Sequence, residues 1–168
     1  MKKQSAGLLV YRKNGGQVEV LIAHMGAPWW AKKDAGAWSI PKGEYSDEDP
    51  KETARREFRE ELGTEPPASK WLELGTIEQK NNKTVIAWAV EGDLEVSRIK
   101  SNTFKTEWPP RSGNMQEFPE IDRAGWFALS EAAKKLIPAQ IEFLIRLADK
   151  LGVDMAPPQE LPSQSSLL

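Results

Sequence analysis

Apolar positions along the chain follow two periods, one of strands and one of helices. Residues 5–12 (SAGLLVYR) and 18–25 (VEVLIAHM) are strand-length apolar runs separated by Asn14, Gly15 and Gly16, a hairpin signal. Residues 37–40 (AWSI) form a short strand leading into a turn at Pro41, Lys42 and Gly43. Residues 71–80 (WLELGTIEQK) and 84–90 (TVIAWAV) predict a second hairpin around Asn81 and Asn82, and 124–129 (AGWFAL) a last strand. Residues 26–34 (GAPWWAKKD) and 91–99 read as loops. Residues 102–119 read as one long irregular segment interrupted by Trp108, Pro109 and Pro110.

The helical period appears twice. In residues 50–62, Ala54, Phe58 and Leu62 stand four apart and make a narrow apolar stripe. Asp49 suits the N-cap, Pro50 the first turn and Gly63 the residue past the end. In residues 138–151 the apolar positions are Ile141, Leu144, Ile145, Ala148 and Leu151. Ser130 is a candidate cap for a short helix before it. Strands on both sides of one helix, with another helix at the end, predict a mixed-sheet α/β or α+β domain. That domain spans residues 1–152, and the Pro-, Gln- and Ser-rich residues 153–168 predict a disordered C-terminal tail.

Composition removes several kinds of chemistry. The 168 residues include no cysteine, so disulfides, thiolate metal sites and cysteine nucleophiles are excluded. A single histidine, His24, cannot build a zinc cluster; near the end of a strand pattern it predicts a structural or edge role. A formal net charge of −2 argues against a general nucleic-acid or anionic-membrane partner. No run approaches the length of a membrane span, and the basic N-terminus has too short an apolar run for a signal peptide. A cytoplasmic protein acting as a monomer or homodimer is expected.

The first helix carries the candidate chemistry. Glu57, Glu60 and Glu61 fall on one arc about 100° wide beside the apolar stripe. Like charges at that spacing cost a few tenths of a kcal/mol per pair, unless a cation sits between them. Oxygen-only ligation suits Mg²⁺ or Mn²⁺. The competing reading is a solvated acidic face, the ordinary use of clustered glutamates.

The surrounding residues resemble the signature of the Nudix (MutT-like) hydrolases, Gly-x5-Glu-x7-Arg-Glu-U-x-Glu-Glu-x-Gly-U, with U a bulky apolar residue. Here Glu48 is followed by seven residues and then Arg56, Glu57, Phe58, Arg59, Glu60, Glu61, Leu62 and Gly63. Two positions depart from the pattern: four residues rather than five separate Gly43 from Glu48, and Thr64 occupies the final apolar position. The stretches SAGLLVYR, WWAKKDAGAWSIPKGEY, SNTFKTEWPPRSG and EFPEIDRAGWF also resemble a bacterial branch described as predicted NTP pyrophosphohydrolases.

The resemblance implies a mixed sheet sandwiched between helices and metal-dependent hydrolysis of a nucleoside diphosphate linked to another group. Nucleoside triphosphates and dinucleoside polyphosphates are the two substrate classes in view. It makes Glu57, Glu60 and Glu61 metal ligands, with Glu57 also a base, and the Lys42 carbonyl a further ligand. Arg56 either orients Glu57 or merely pairs with Glu60 at i,i+4. In such enzymes an acidic residue from a later loop often assists; Glu117 and Glu120 both qualify. The Lys42 side chain and Arg111 are candidate phosphate contacts. Trp29, Trp30 and Trp108 could stack on a base or anchor their loops as packed aromatics. The alternative from another class is a Nudix-fold domain that senses a nucleotide without turning it over.

Overall fold

The computed structural model describes residues 2–155. Nine strands and three helices follow in the order β1 (Lys3–Asn14), β2 (Gln17–Met25), β3 (Trp38–Ser39), β4 (Lys42–Tyr45), α1 (Pro50–Leu62), β5 (Trp71–Gln79), β6 (Lys83–Glu91), β7 (Thr103–Glu107), β8 (Met115–Pro119), β9 (Ile121–Ala128), α2 (Leu129–Lys135) and α3 (Ile141–Leu151). Seven strands make one mixed sheet in the order β3-β2-β1-β6-β5, with β4 also paired to β1 and β9 to β2. Only β1 and β6 run parallel.

β1 is buried on both faces, so its apolar run is continuous rather than alternating. Leu8 and Val10 pack with Ala54, Phe58 and Leu62 of α1. Leu9 and Tyr11 point the other way, into a larger cluster with Leu129, Ala132 and Leu136 of α2 and Phe143, Leu144 and Leu147 of α3. The sheet is thus sandwiched, α1 on one face and α2 with α3 on the other. The stripe Ala54, Phe58 and Leu62 is buried as its spacing requires. Asp49 accepts from the Lys51 backbone N–H at 3.0 Å, and Gly63 ends α1 in the left-handed region, φ 73°.

The centre of the sheet is split. β1 pairs with β2 from Val10 onward, while its first half, Gln4 to Gly7, pairs with β4. β3 meanwhile lies along β2 at Ala23 and His24. The chain therefore crosses from one strand's edge to the other's through Ile40 and Pro41. At the crossing the Ile40 N–H belongs to no ladder; the buried side chain of Gln140 accepts it at 2.9 Å. The Gln140 amide in turn donates to Ser39 Oγ and Gln79 Oε1, at 3.0 and 2.9 Å.

Four expectations are corrected. The turn at Pro41, Lys42 and Gly43 is instead the start of a strand, because Lys42 and Gly43 find the free edge of β1. Residues 102–119 are not irregular: β7 and β8 form a two-stranded hairpin held by Phe104 opposite Phe118 and Lys105 opposite Glu117. Ser130 caps nothing, since α2 starts at Leu129 with Ala128 as N-cap. In α3 the buried face is Phe143, Leu144, Leu147 and Ala148, and Ile145 is exposed, because a 3₁₀ turn at Pro138–Gln140 sets where the α-helix starts. Val153 and Met155 rest on the core beyond α3; residues 156–168 of the expected tail lie outside the described residues.

Gln140→Ala should leave the buried Ile40 N–H unpaired and lower unfolding free energy by about 1–3 kcal/mol. Urea denaturation checks this: the midpoint falls while the denaturant slope stays that of the parent.

Candidate active site

Glu57, Glu60 and Glu61 project from α1 into one cleft of about 520 Å³. Its other walls come from Lys42 and Gly43 of β4, Ser5 of β1, Lys83 of β6, Asn102 and Thr103 at the base of the β7–β8 hairpin, and Glu120 between β8 and β9. The split sheet delivers β4 directly under the acidic face. Lys42 donates its backbone N–H to Glu61 Oε2 at 3.2 Å. Gly43 lies so close to Glu57 that a Cβ there would stand 2.0 Å from the Glu57 carboxyl carbon. A side chain at this position would displace the Glu57 carboxylate.

Arg56 does both things considered for it. Its Nη2 donates to Glu57 Oε1 at 3.3 Å, and its Nε lies 3.8 Å from Glu60 Oε1. It also pairs with Glu48, which accepts a second bond from Thr53 Oγ1 at 3.2 Å. Glu48 thus anchors Arg56 across a loop one residue shorter than the family pattern.

The electrostatics of the cleft are dominated by burial. Desolvation holds Glu57 above the usual carboxylate range against the opposing Arg56 bond, and the Glu60 and Glu120 charges add to the rise. Glu61 is pushed up to about 8, first by burial, with Lys42 opposing and the Glu57 and Glu120 charges assisting. Burial raises Glu120 as well, and lowers the Lys42 ammonium, to which the neighbouring Lys83 charge contributes. Carboxylates from two separate parts of the chain share one desolvated space and repel one another.

An oxygen-rich site of this kind fits a hard divalent cation. Bound there, the ion would relieve the repulsion and hold the ionised forms. Among the described residues no three acidic or imidazole groups are closed into a cage as they stand. Each is engaged locally instead: Glu57 and Glu60 lean on Arg56, and Glu61 on the Lys42 N–H.

The structure separates the two acidic candidates outside the helix. Glu120 lines the cleft, whereas Glu117 lies out on the hairpin, where it accepts from Thr103 Oγ1. Trp30, Trp108 and Arg111 do not line it. Trp30 packs against the core with Lys33 Nζ 5.3 Å from its ring centre. The exposed member of the pair is Trp29, whose ring centre lies 6.4 Å from that of Trp108, the planes tilted by 49°. The two aromatic loops therefore meet as one surface rather than standing apart. Arg111 sits exposed at the hairpin tip with φ 62°, its N–H donated to Glu107 at 2.6 Å. Lys83, Asn102 and Thr103 were missed by the sequence reading. Each follows a turn or loop with no local pattern to mark it, and only the fold carries it to the cleft.

A carboxyl whose folded pKa exceeds its unfolded value favours the native state most at low pH. Glu61 therefore stabilises the metal-free protein least once pH has risen from about 4.5 through about 8. Metal-free parent protein should lose stability across that window, and Glu61→Gln should flatten the loss; melting temperature against pH, with chelator present, measures both.

Comparison with known proteins agrees with this geometry. The profile of the NUDIX domain matches residues 1–147. No curated protein matches the sequence. Among solved structures, the Ap4A hydrolase of C. elegans superposes with a TM-score of 0.61 at 20% identity, covering 90% of this chain and 99% of that one. The NUDIX domain of Shewanella oneidensis NrtR, solved with ADP ribose, gives 0.60 at 12% identity over 90% and 89%. The MutT protein from Methanosarcina mazei Go1 gives 0.58 at 21% identity over 89% and 95%. At these identities the neighbours speak for the fold, and the domain match together with the helix it spans speaks for the family. With Arg56, Glu57, Glu60 and Glu61 at their signature positions and three of those side chains facing one cleft, the chain belongs to the Nudix family of hydrolases.

Proposed function

We propose that the protein hydrolyses a phosphoanhydride bond of a nucleoside diphosphate joined to a second group, and that Mg²⁺ or Mn²⁺ is required. The observation that carries this reading is the convergence of Glu57, Glu60 and Glu61 with Glu120 in one cleft that Lys42 and Lys83 also line. Glu57, Glu60, Glu61 and the Lys42 carbonyl would hold the ion, with Glu120 as the additional acidic group. Bound there, it would neutralise phosphate oxygens and make water a better nucleophile. Glu57 is the group best suited to take a proton from that water: burial raises its basicity, and Arg56 fixes its orientation. Lys42 and Lys83 line the same cleft, and their ammonium groups would meet the phosphate chain as point charges. The cleft thus brings carboxylates and lysines together, the charge pattern that suits a metal polyphosphate.

For the substrate, the meeting of Trp29 and Trp108 supplies an aromatic surface at which a base can stack. Trp30, packed on the core, is replaced by Trp29 in this role. Dinucleoside polyphosphates and nucleoside triphosphates both carry a base that this single surface can take. The setting would be cytoplasmic; among the described residues no helix is long and apolar enough to cross a membrane.

Glu57→Gln, Glu60→Gln and Glu61→Gln should each lower kcat by about 10²-fold or more. Without Mg²⁺ their melting temperatures should equal or exceed the parent's, since one repelling charge is gone. Earlier melting with normal turnover would make the glutamates structural. A nucleotide panel assayed with Mg²⁺ in ¹⁸O-water, with products identified by mass, tests the reaction itself; binding without turnover would favour a sensing domain. Within that panel, Trp29→Ala and Trp108→Ala should lower kcat/KM for a diadenosine polyphosphate by about tenfold. A tenfold preference of the parent for ATP or a deoxynucleoside triphosphate, with both variants unaffected, would rule out the aromatic surface as a base site.

A further inference from the structure

His24 closes β2 with its ring fully buried, at 0% exposure. Its Nε2 lies 2.7 Å from the Lys33 carbonyl oxygen, and its Nδ1 2.8 Å from Asp122 Oδ1. The Lys33 carbonyl oxygen can only accept, so Nε2 donates to it, and Asp122 Oδ1 lies within hydrogen-bonding distance of Nδ1. The ring stands edge-on to Trp38, centres 5.3 Å apart. An aliphatic side chain could fill this volume; the imidazole adds two directed bonds to two different parts of the chain.

Both parts belong to the neighbourhood of the site. Lys33 lies in the loop whose 3₁₀ turn, Pro28–Trp30, presents Trp29. Asp122 stands two residues past Glu120 and next to Ile121, both of which line the cleft. His24 itself precedes Met25, another lining residue, at the point where the β2–β9 register shifts. The loop has other anchors at its ends. The Gly26 N–H donates to the Glu120 carbonyl at 2.9 Å, and Asp34 accepts from Trp38 Nε1 at 2.9 Å and from Lys135 Nζ at 3.0 Å. His24 holds the Lys33 peptide that lies between them.

We propose that His24 is a positioning residue for the substrate: by bonding Lys33 and Asp122 together it sets the Trp29 loop relative to the Glu120 corner of the cleft. What it positions rests on the function proposed above; that it clamps the loop stands on the two bonds alone. Loss of the Lys33 bond frees the loop and weakens the hold on the base. Loss of the Asp122 bond loosens the strand entry that carries Glu120.

Two substitutions divide these bonds. His24→Asn keeps an amide N–H where Nδ1 stands, serving Asp122 and giving up Lys33. His24→Gln places its amide N–H where Nε2 stands, serving Lys33 and giving up Asp122. Native-state trypsin cleavage after Lys32 and Lys33, followed by mass spectrometry, reports the loop without any activity. His24→Asn should be cut there at least tenfold faster than the parent and raise KM at least fivefold, with kcat within twofold. His24→Gln should return protection and KM to within twofold of the parent while kcat falls about fivefold. Parental protection in His24→Asn, or identical behaviour of the two variants in both readouts, would reduce His24 to packing and overturn the inference. If the parent turns over no nucleotide, the proposed function fails, and the trypsin comparison still decides the clamp. If neither variant folds, Asp122→Ala decides: it should keep the loop protected and KM parental with kcat about fivefold lower, and a parental kcat would overturn the coupling.

Discussion

The site depends on the chain crossing a gap in its own sheet. β1 pairs with β2 only from Val10 onward, and the strand-to-strand crossing at Ile40 and Pro41 occupies the opening before it. Backbone leaving one ladder for another exposes polar groups in a buried place, which a fold cannot leave unmatched. Here proline has no N–H to satisfy, its carbonyl accepts from the Leu8 N–H at 3.1 Å, and Gln140 takes the Ile40 N–H. Gly7 lets the crossing pass, since a Cβ at that position would meet Ile40 Cδ1 and the Pro41 carbonyl oxygen at 2.8 Å. The reward for this arrangement is position. The next two residues, Lys42 and Gly43, emerge beneath α1, one bonded to Glu61 and the other lying against Glu57.

That placement also creates the tension in the cleft. α1 must bury Ala54, Phe58 and Leu62 to form at all, because a thirteen-residue helix gains most of its stability from packing. The rotation that buries this stripe turns Glu57 and Glu61 inward, toward a strand that supplies Glu61 a backbone N–H, while Arg56 of the same helix supports Glu57. Burial then raises Glu57, Glu61 and Glu120 together. A protein selected only for stability would exchange such residues for apolar ones. Their gathering in a cleft of about 520 Å³ marks where the proposed cation would bring the missing positive charge.

The β7–β8 hairpin and the loop after β2 form the outer part of the same region. Their contact is local: Gly26 packs on Pro119, where a Cβ would come within 2.1 Å of the carbonyl oxygen, and Trp29 meets Trp108 further out. At the hairpin base Asn102 and Thr103 enter the cleft, so the part of the chain that holds the aromatic surface also closes one of the cleft's walls. His24, buried under both, joins the loop to the residues that follow Glu120.

Periodicity and end signals were enough to place α1 between Pro50 and Leu62, both main hairpins and the acidic face, because each depends on residues close together in the chain. The signature spacing on that helix singles out Arg56, Glu57, Glu60 and Glu61, and the fold brings the three glutamates into one cleft. Tertiary structure decided what spacing could not carry. Lys42 and Gly43 became a strand only because β1 offers a free edge, and Glu120 rather than Glu117 lines the cleft because it follows β8, while Glu117 lies within that strand and accepts from Thr103. Trp29 rather than Trp30 stayed exposed, since the core took its neighbour. Lys83 gave no sign in the chain at all. Local order sets which residues share a helix face, while the pairing of distant strands sets which of those faces look at one another, and this site is built from the second kind of contact.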